Sequence, residues 1–352
     1  MFLVSFFRTC KKKNLVIQTA KIGDYANTTP MFEVLEKTDI LMDHVNLPFA
    51  NHDERIEQIY VVNVYKKSIW QKIQLALLLF FNNYHTVYVL IPNSLNLFLA
   101  KMCFSKNTVT LSTYADKWYL TLLNSNMKTI KHSVEDLTID TYLKMIGEGL
   151  DRNRYWKMLQ KPLVIPQNMP LKSNKFKVGV SLSAGNKIKT IDSETWKKVF
   201  AILDEIECEV YIFGLENENV YLENLSKNIH AKNPIISMLG QIPLRELPSR
   251  MSVLNLYISS DTGNSYIADS VNVPTINFAG PCFWREQRPI YEKSLIVQSN
   301  APCAPYSSVF RASYKGKCPD LYTITHSQEE AIANFIKALY KDFLQSQHSA
   351  EC

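Results

Sequence analysis

VLNLYISSDTGNSYIADSVNVPTINFAGP (Val253–Pro281) contains, in order, an apolar run, an Asp-Thr-Gly turn, a short segment of helical patterning and a second apolar run. Strands separated by a helical segment build parallel sheets covered on both faces, so this stretch reads as one strand–helix–strand unit. The turn is the chemically interesting part. A helix N-terminus carries unpaired N–H groups and a partial positive charge, which suits phosphate oxygens, and Gly263 lets the backbone approach closely. The same residues also serve as a plain connection capped by Asp261 or Thr262. Local sequence alone leaves both readings open.

The grammar recurs along the chain. LVIQTAKIGDYANTTPMFEVLEK (Leu15–Lys37) sets an apolar strand before Lys21-Ile22-Gly23-Asp24, with a helix expected to enter near Thr29 and Pro30. The first half continues with IYVVNVY, a helix from Ser68, TVYVLI and SLNLFLAKMCF. The stretch KPLVIPQNMPLKSNK (Lys161–Lys175) has three prolines and no periodicity, as an interdomain connection would. The pattern then restarts with FKVGVSL, SETWKKVFAILDEI, CEVYIFG, VLNLYIS and PTINFAG. SQEEAIANFIKALYKDFLQ (Ser327–Gln345) reads as a closing helix, with Ser327 at the start of a capping box.

The expected fold class is therefore α/β, with two Rossmann-like domains whose parallel sheets face each other across a central cleft. The expected boundaries are 1–160, a linker at 161–175, 176–326, and a closing helix and tail at 327–352. Ligands of open α/β sheets collect beyond the carboxyl ends of the strands, where the Gly23-Asp24 and Asp261-Thr262-Gly263 turns both lie.

Composition narrows the partners. The 352 residues are 46% hydrophobic and 20% charged, an ordinary globular balance. A net charge of +6 favours an anionic partner, but the only basic run is Lys11, Lys12 and Lys13, too sparse for nucleic acid. Seven widely separated cysteines without a C-x-x-C pair argue against a disulfide framework or a zinc knuckle and point to a reducing, cytoplasmic compartment. Neither MFLVSFFRTCKKK nor SIWQKIQLALLLFFNNY (Ser68–Tyr84) is long enough to span a bilayer. Two readings stay open for each: terminus or peripheral membrane contact for the first, core helix or membrane-facing surface for the second.

The two strand-turn-helix stretches together resemble the signature regions of the heptosyltransferase family of glycosyltransferases (family 9), whose members build the inner core of bacterial lipopolysaccharide. Between them, SLSAGNKIKTIDSETWKKV resembles the family's phosphate-binding segment, with Lys189 seven positions ahead of Trp196. YIFGLENE resembles the acidic loop that follows, with Glu218 at the donor-binding position. The resemblance runs from about Leu15 to Cys318. It implies a GT-B fold, an acceptor held mainly by the N-terminal domain, a nucleotide-sugar held by the C-terminal one, and inverting transfer with no metal and no cofactor. Expected partners are the nucleotide-sugar donor, ADP-heptose, and an anionic glycolipid acceptor at the inner face of the cytoplasmic membrane.

That resemblance distributes roles. Asp24, supported by Gly23 of its motif, would be the general base toward the acceptor hydroxyl. Lys189 and the backbone around Thr262 and Gly263 would balance charge on the departing diphosphate. Asp261 would hold sugar hydroxyls or cap the helix, and Glu218 would contact the nucleoside side. Lys187, Arg285 and Arg288 would add positive charge around the donor or belong to a scattered surface. Two departures stand out. The family's His after Asp-Thr-Gly-x-x is Tyr266 here, a neutral phenol that can still donate a hydrogen bond to donor oxygens. PCAPYSSVFRASYKGKC keeps Cys303 and Cys318 of a cysteine pattern but has Tyr306 between them, so these read as packed or loop thiols. Alternatives are a same-fold transferase using a UDP-hexose and a catalytically silent carbohydrate-binding protein.

Overall fold

The computed structural model describes residues 13–35, 37–115, 117–147, 150–166, 173–311 and 318–351. The N-terminal apolar run with Lys11 and Lys12, and residues 167–172 of the proline-rich connection, lie outside them. The chain divides into two compact units, Met1–Pro162 and Leu163–Cys352.

In the first unit, six parallel strands form one sheet: β1 (Asn14–Gln18), β2 (Thr38–Met42), β3 (Ile56–Val61), β4 (Thr86–Val89), β5 (Asn107–Ser112) and β6 (Lys128–Lys131). Their order is β3-β2-β1-β4-β5-β6. The chain steps outward from β1 to β3, then returns past β1 to β4, which makes the β1/β4 boundary the point where strand order reverses. Helices α1 (Ile22–Leu35), α2 (Ile69–Phe81), α3 (Ser94–Met102), α4 (Trp118–Leu123) and α5 (Thr138–Ile146) connect or flank the strands. Leu75, Ala76 and Leu79 of α2, Leu97 and Ala100 of α3, and Leu120 of α4 share one buried cluster with Leu15, Ile17, Val87 and Val89 of the sheet. α1 packs against α5.

The second unit repeats the plan. Strands β7 (Phe176–Val180), β8 (Cys208–Ile212), β9 (Ile235–Ser237), β10 (Leu256–Ser260), β11 (Thr275–Phe278) and β12 (Ser294–Val297) pair in parallel in the order β12-β11-β10-β7-β8-β9. Counted from β7, this is the arrangement of the first sheet, with the reversal between β7 and β10. Gly179 in β7 has a steric reason: a Cβ there would lie 2.6 Å from side-chain carbons of both Leu254 and Tyr257. Helices α6 (Ser193–Leu203), α7 (Asn219–Asn228), α8 (Gly263–Ser270) and α9 (His326–Glu351) complete the unit. α9 packs on α6, and its Tyr340 and Phe343 rings lie 5.6 and 5.5 Å from that of Phe176 in β7.

Three local expectations change. The first helix does not wait for Thr29 and Pro30 but begins at Ile22, leaving Pro30 in its interior. Proline cannot donate to the carbonyl four residues back, and here the Thr29 hydroxyl donates to Ala26 O at 2.8 Å instead. The capping box of α9 belongs to Thr325 and Gln328 rather than Ser327. Gln328 N donates to Thr325 Oγ1 at 3.3 Å, and Thr325 N donates to Gln328 Oε1 at 3.0 Å. Cys303 and Cys318, expected as thiols, form a disulfide with Cα atoms 6.1 Å apart. Fifteen residues of separation reveal nothing about that approach until the loops fold.

Candidate functional site

The reversal point of the second sheet places the carboxyl ends of β7 and β10 side by side. Ser181, just past β7, donates its hydroxyl to Phe213 O at 3.1 Å. It therefore accepts from Tyr257 Oη at 2.6 Å and from Asn264 Nδ2 at 3.0 Å. This network ties the end of β7 to that of β8, to β10 and to the first turn of α8.

Beyond β10, Asp261 collects three donors on two carboxylate oxygens. Lys189 Nζ lies 2.6 Å from Oδ2, Cys282 Sγ lies 3.1 Å from the same oxygen, and Tyr266 Oη donates to Oδ1 at 2.6 Å. Burial by itself would raise the Asp261 pKa, but the Lys189 charge, then hydrogen bonds from Lys189, Tyr266 and Cys282, hold it below the ordinary carboxylate value. Burial first, then the Asp261 charge, pushes the Cys282 thiol well above its usual range, so the sulfur is an S–H donor here and not a thiolate.

Lys189 reaches this position from a short turn, Lys187–Lys189, whose preceding Asn186 side chain accepts from Ile188 N at 3.1 Å. Three residues later Asp192 caps α6 by accepting from Thr195 N at 2.8 Å, and Thr195 in turn donates to Tyr322 O at 2.8 Å. The lysine is thus held between two capped turns.

The turn at α8 is not the plain capped connection. Thr262 occupies the N-cap position, yet its side chain makes no capping bond, and its buried Oγ1 has no partner among the described residues. Asp261 is engaged with Lys189, Tyr266 and Cys282. The positive end of α8 is therefore not neutralised by either residue the sequence offered for that job.

Lys189, Asp261 and Tyr266 meet directly, and Thr262 and Gly263 continue from them. Glu218 sits one strand away, in the Glu216–Glu218 turn after β8, folded so closely over Gly214 that a Cβ at 214 would strike its carboxylate. Tyr266 is buried, 3% exposed, with its hydroxyl on Asp261, which makes it a positioning group for that carboxylate in this structure. Lys187 is exposed, while Arg285 and Arg288 stack over the Trp284 ring at 5.4 and 5.0 Å. Cys282, Ser181, Tyr257 and Asn264 escaped sequence reading, although Cys282 and Ser181 each follow a strand end, which is the signal that marked Asp261.

In the first unit, Gly23 and Asp24 lie in the first turn of α1, where a carboxylate complements the helix dipole; Asp24 is partly exposed. The loop before them is fixed by buried Gln18, which accepts from Ala20 N at 3.1 Å and donates to Thr28 Oγ1 at 3.0 Å and Tyr142 Oη at 3.3 Å. The Thr28 hydroxyl donates in turn to Asp24 O at 2.9 Å. Alongside, Lys21 Nζ pairs with Asp43 at 3.2 Å.

Among solved structures, the chain is similar to a family 9 glycosyltransferase from Veillonella parvula DSM 2008, with 16% identity, a TM-score of 0.70, and coverage of 95% of this chain and 99% of that one. It is similar to ADP-heptose lps heptosyltransferase II of E. coli, at 14% identity and TM-score 0.68, covering 95% and 99%. A third is E. coli heptosyltransferase WaaC with ADP, at 15% identity and TM-score 0.65, covering 93% and 99%. These likenesses show the fold, which is GT-B. No curated protein matches the chain. The model of glycosyltransferase family 9 (heptosyltransferase) matches residues 111–312, a span that contains Lys189, Glu218, Asp261, Thr262, Gly263 and Tyr266 and stops short of Gly23 and Asp24. That span is more than half of the 352 residues, and the chain belongs to glycosyltransferase family 9, the heptosyltransferase family.

Proposed function

We propose that this glycosyltransferase moves heptose from ADP-heptose onto the core of lipopolysaccharide or lipooligosaccharide, with inversion and without a metal. The observation that carries the reading is the Lys189–Asp261–Tyr266 cluster beside the uncapped start of α8. A lysine and a helix N-terminus at one strand end supply the positive charge a diphosphate leaving group needs, which is the work a divalent ion would otherwise do. The solved structure of E. coli WaaC with ADP favours an adenine nucleotide.

In the proposed step an acceptor hydroxyl oxygen bonds to the anomeric carbon from the face opposite the diphosphate. The carbon–oxygen bond to ADP breaks, ADP leaves with the electron pair, and Asp24 takes the hydroxyl proton. Lys189, Thr262 and Gly263 stabilise the departing oxygens. Asp261 orients Lys189 and sugar hydroxyls, Tyr266 holds Asp261, and Glu218 faces the nucleoside. The acceptor is an anionic glycolipid, and the protein works in the cytoplasm at the inner face of the membrane.

Calorimetric titration with ADP-heptose, ADP, UDP-glucose and UDP tests the donor. The expected result is selective binding of the adenine ligands, weakened about ten- to hundred-fold by Lys189→Ala, the loss of one charge-assisted contact. Preference for uridine ligands would move the donor to a UDP-hexose. Absence of binding by any of them would favour the silent carbohydrate-binding alternative. Asp24→Ala is expected to abolish transfer while leaving donor binding intact, and transfer is expected to persist in a chelator.

A further inference from the structure

A helix lying on a sheet normally turns charged residues to solvent. α2 does not. Leu75, Ala76 and Leu79 face the core, and from Ile69 to Phe81 every exposed side chain except Gln74 is apolar. Trp70 is 76% exposed, Phe81 72% and Leu77 48%. With Ile73 they recur at spacings of three and four residues, which lays them along one stripe. α3 packs on α2 and α4 on α3, and these neighbours add exposed Phe98 and Trp118.

Charge is distributed to match. Residues 58–134 contain eight lysines and a single carboxylate, Asp116, a net charge of +7 beside +6 for the entire chain. The excess positive charge of the molecule therefore belongs to the segment that carries the apolar stripe. Lys66, Lys67 and Lys72 flank or enter α2, Lys101 lies in α3, and Lys117 precedes α4.

At 13 residues α2 is too short to cross a bilayer. It has what an in-plane helix needs: an apolar face, aromatic side chains suited to headgroup depth, and lysines at the rim. A second copy of the chain fits poorly, because a two-fold contact would press two such positive surfaces together. We propose that the solvent face of α2, with Phe98 and Trp118 beside it, is a docking surface for a bilayer containing anionic phospholipid. A glycolipid acceptor would give this surface a use, which is the one respect in which the inference rests on the proposed function.

The test uses the full chain and neither donor nor acceptor. Vesicles of phosphatidylcholine with about one-third phosphatidylglycerol are sedimented with the protein and compared with phosphatidylcholine alone. The protein is expected to sediment with the anionic vesicles, less so in high salt. Combining Trp70→Ser with Leu77→Ser, or Lys66→Glu with Lys67→Glu, is expected to weaken binding at least about tenfold. All four positions are exposed, so melting temperature and ADP titration should match the wild type. Failure to bind anionic vesicles, or equal binding by wild type and both variants, would overturn the proposal. So would a solution dimer, seen by ultracentrifugation, that Trp70→Ser with Leu77→Ser dissociates. Normal ADP binding alongside absent vesicle binding would count against docking alone, and the reverse against the donor reading alone.

Discussion

Asp261 is satisfied by its neighbours, and that decides how each of them will respond to substitution. Tyr266→Phe keeps the buried ring and deletes one donor to a carboxylate, so it is expected to cost about 1.5–3 kcal/mol, read as a lowered melting temperature. Because the hydroxyl helps hold the Asp261 pKa down, the same variant should also move the acid limb of the stability profile. Burial is the largest influence on Asp261, and it raises the pKa; Lys189 and the hydrogen bonds more than reverse it. The net depression means the folded state binds its proton less readily than the unfolded chain. The stabilisation is thus fully present above the ordinary carboxylate pKa and is lost as pH falls through the lower folded value. Glu33 and Asp43 are depressed in the same sense, by Arg55 and Lys161 and by Val45 N–H, Asn63 and Lys21, each against the opposing effect of burial. Thermal melts are expected to fall steeply below about pH 4, and Asp261→Asn should flatten part of that fall. An unchanged slope would remove Asp261 from the linkage.

Elements in the first unit are tied together by Arg55. Its guanidinium donates to Asp53 at 2.8 and 2.6 Å, to Glu33 in α1 at 2.7 Å, and to Met158 O at 2.7 Å. One side chain therefore fixes the approach to β3, the end of α1 and the segment leading out of the unit. Arg55→Ala would strand the buried Asp53 carboxylate, at an expected cost of about 3–5 kcal/mol in denaturant unfolding. Asp53 is a near neighbour in sequence, but Glu33 and Met158 lie 22 and 103 residues from Arg55 and could not be found from local pattern, and the same holds for the elements that sequence reading missed. Asp39 interrupts the apolar run of β2, yet it is fully buried because Lys13 Nζ at 2.9 Å and Tyr84 Oη at 2.6 Å satisfy it, the tyrosine from 45 residues away. Pro30 looked like a helix start because the Thr29 hydroxyl that rescues Ala26 O cannot be inferred from propensity. By contrast, β1, β7, β8, β10 and β11 were legible, since each is a short apolar run ending in a turn, and that end is where Lys189, Glu218 and Asp261 follow. Lys189 and Asp261 were both visible in the sequence, but their ion pair across 72 residues was not.

The molecule as a whole repeats one six-strand plan twice, and the roles we propose fall in both copies: Asp24, the proposed base, follows β1 in the first, and every residue proposed to hold the donor lies in Leu163–Cys352. The second unit also has its own buried cluster, from Phe176 and Val178 of β7 through Trp196 and Phe200 of α6 to Ile332 and Ile336 of α9. A fragment beginning at Leu163 should then melt cooperatively and bind ADP within about tenfold of the full chain, a difference of about 1.4 kcal/mol. It should transfer no sugar, because the proposed base is missing. Circular dichroism establishes folding, calorimetry reads the affinity, and mass spectrometry of the acceptor reads transfer. A folded fragment that binds ADP a hundredfold more weakly would mean that the first unit contributes donor contacts, and that the Lys189–Asp261–Tyr266 cluster is only part of the donor site. Full-strength binding would place the nucleotide within one copy of the plan, leaving the other copy free to diversify around its acceptor.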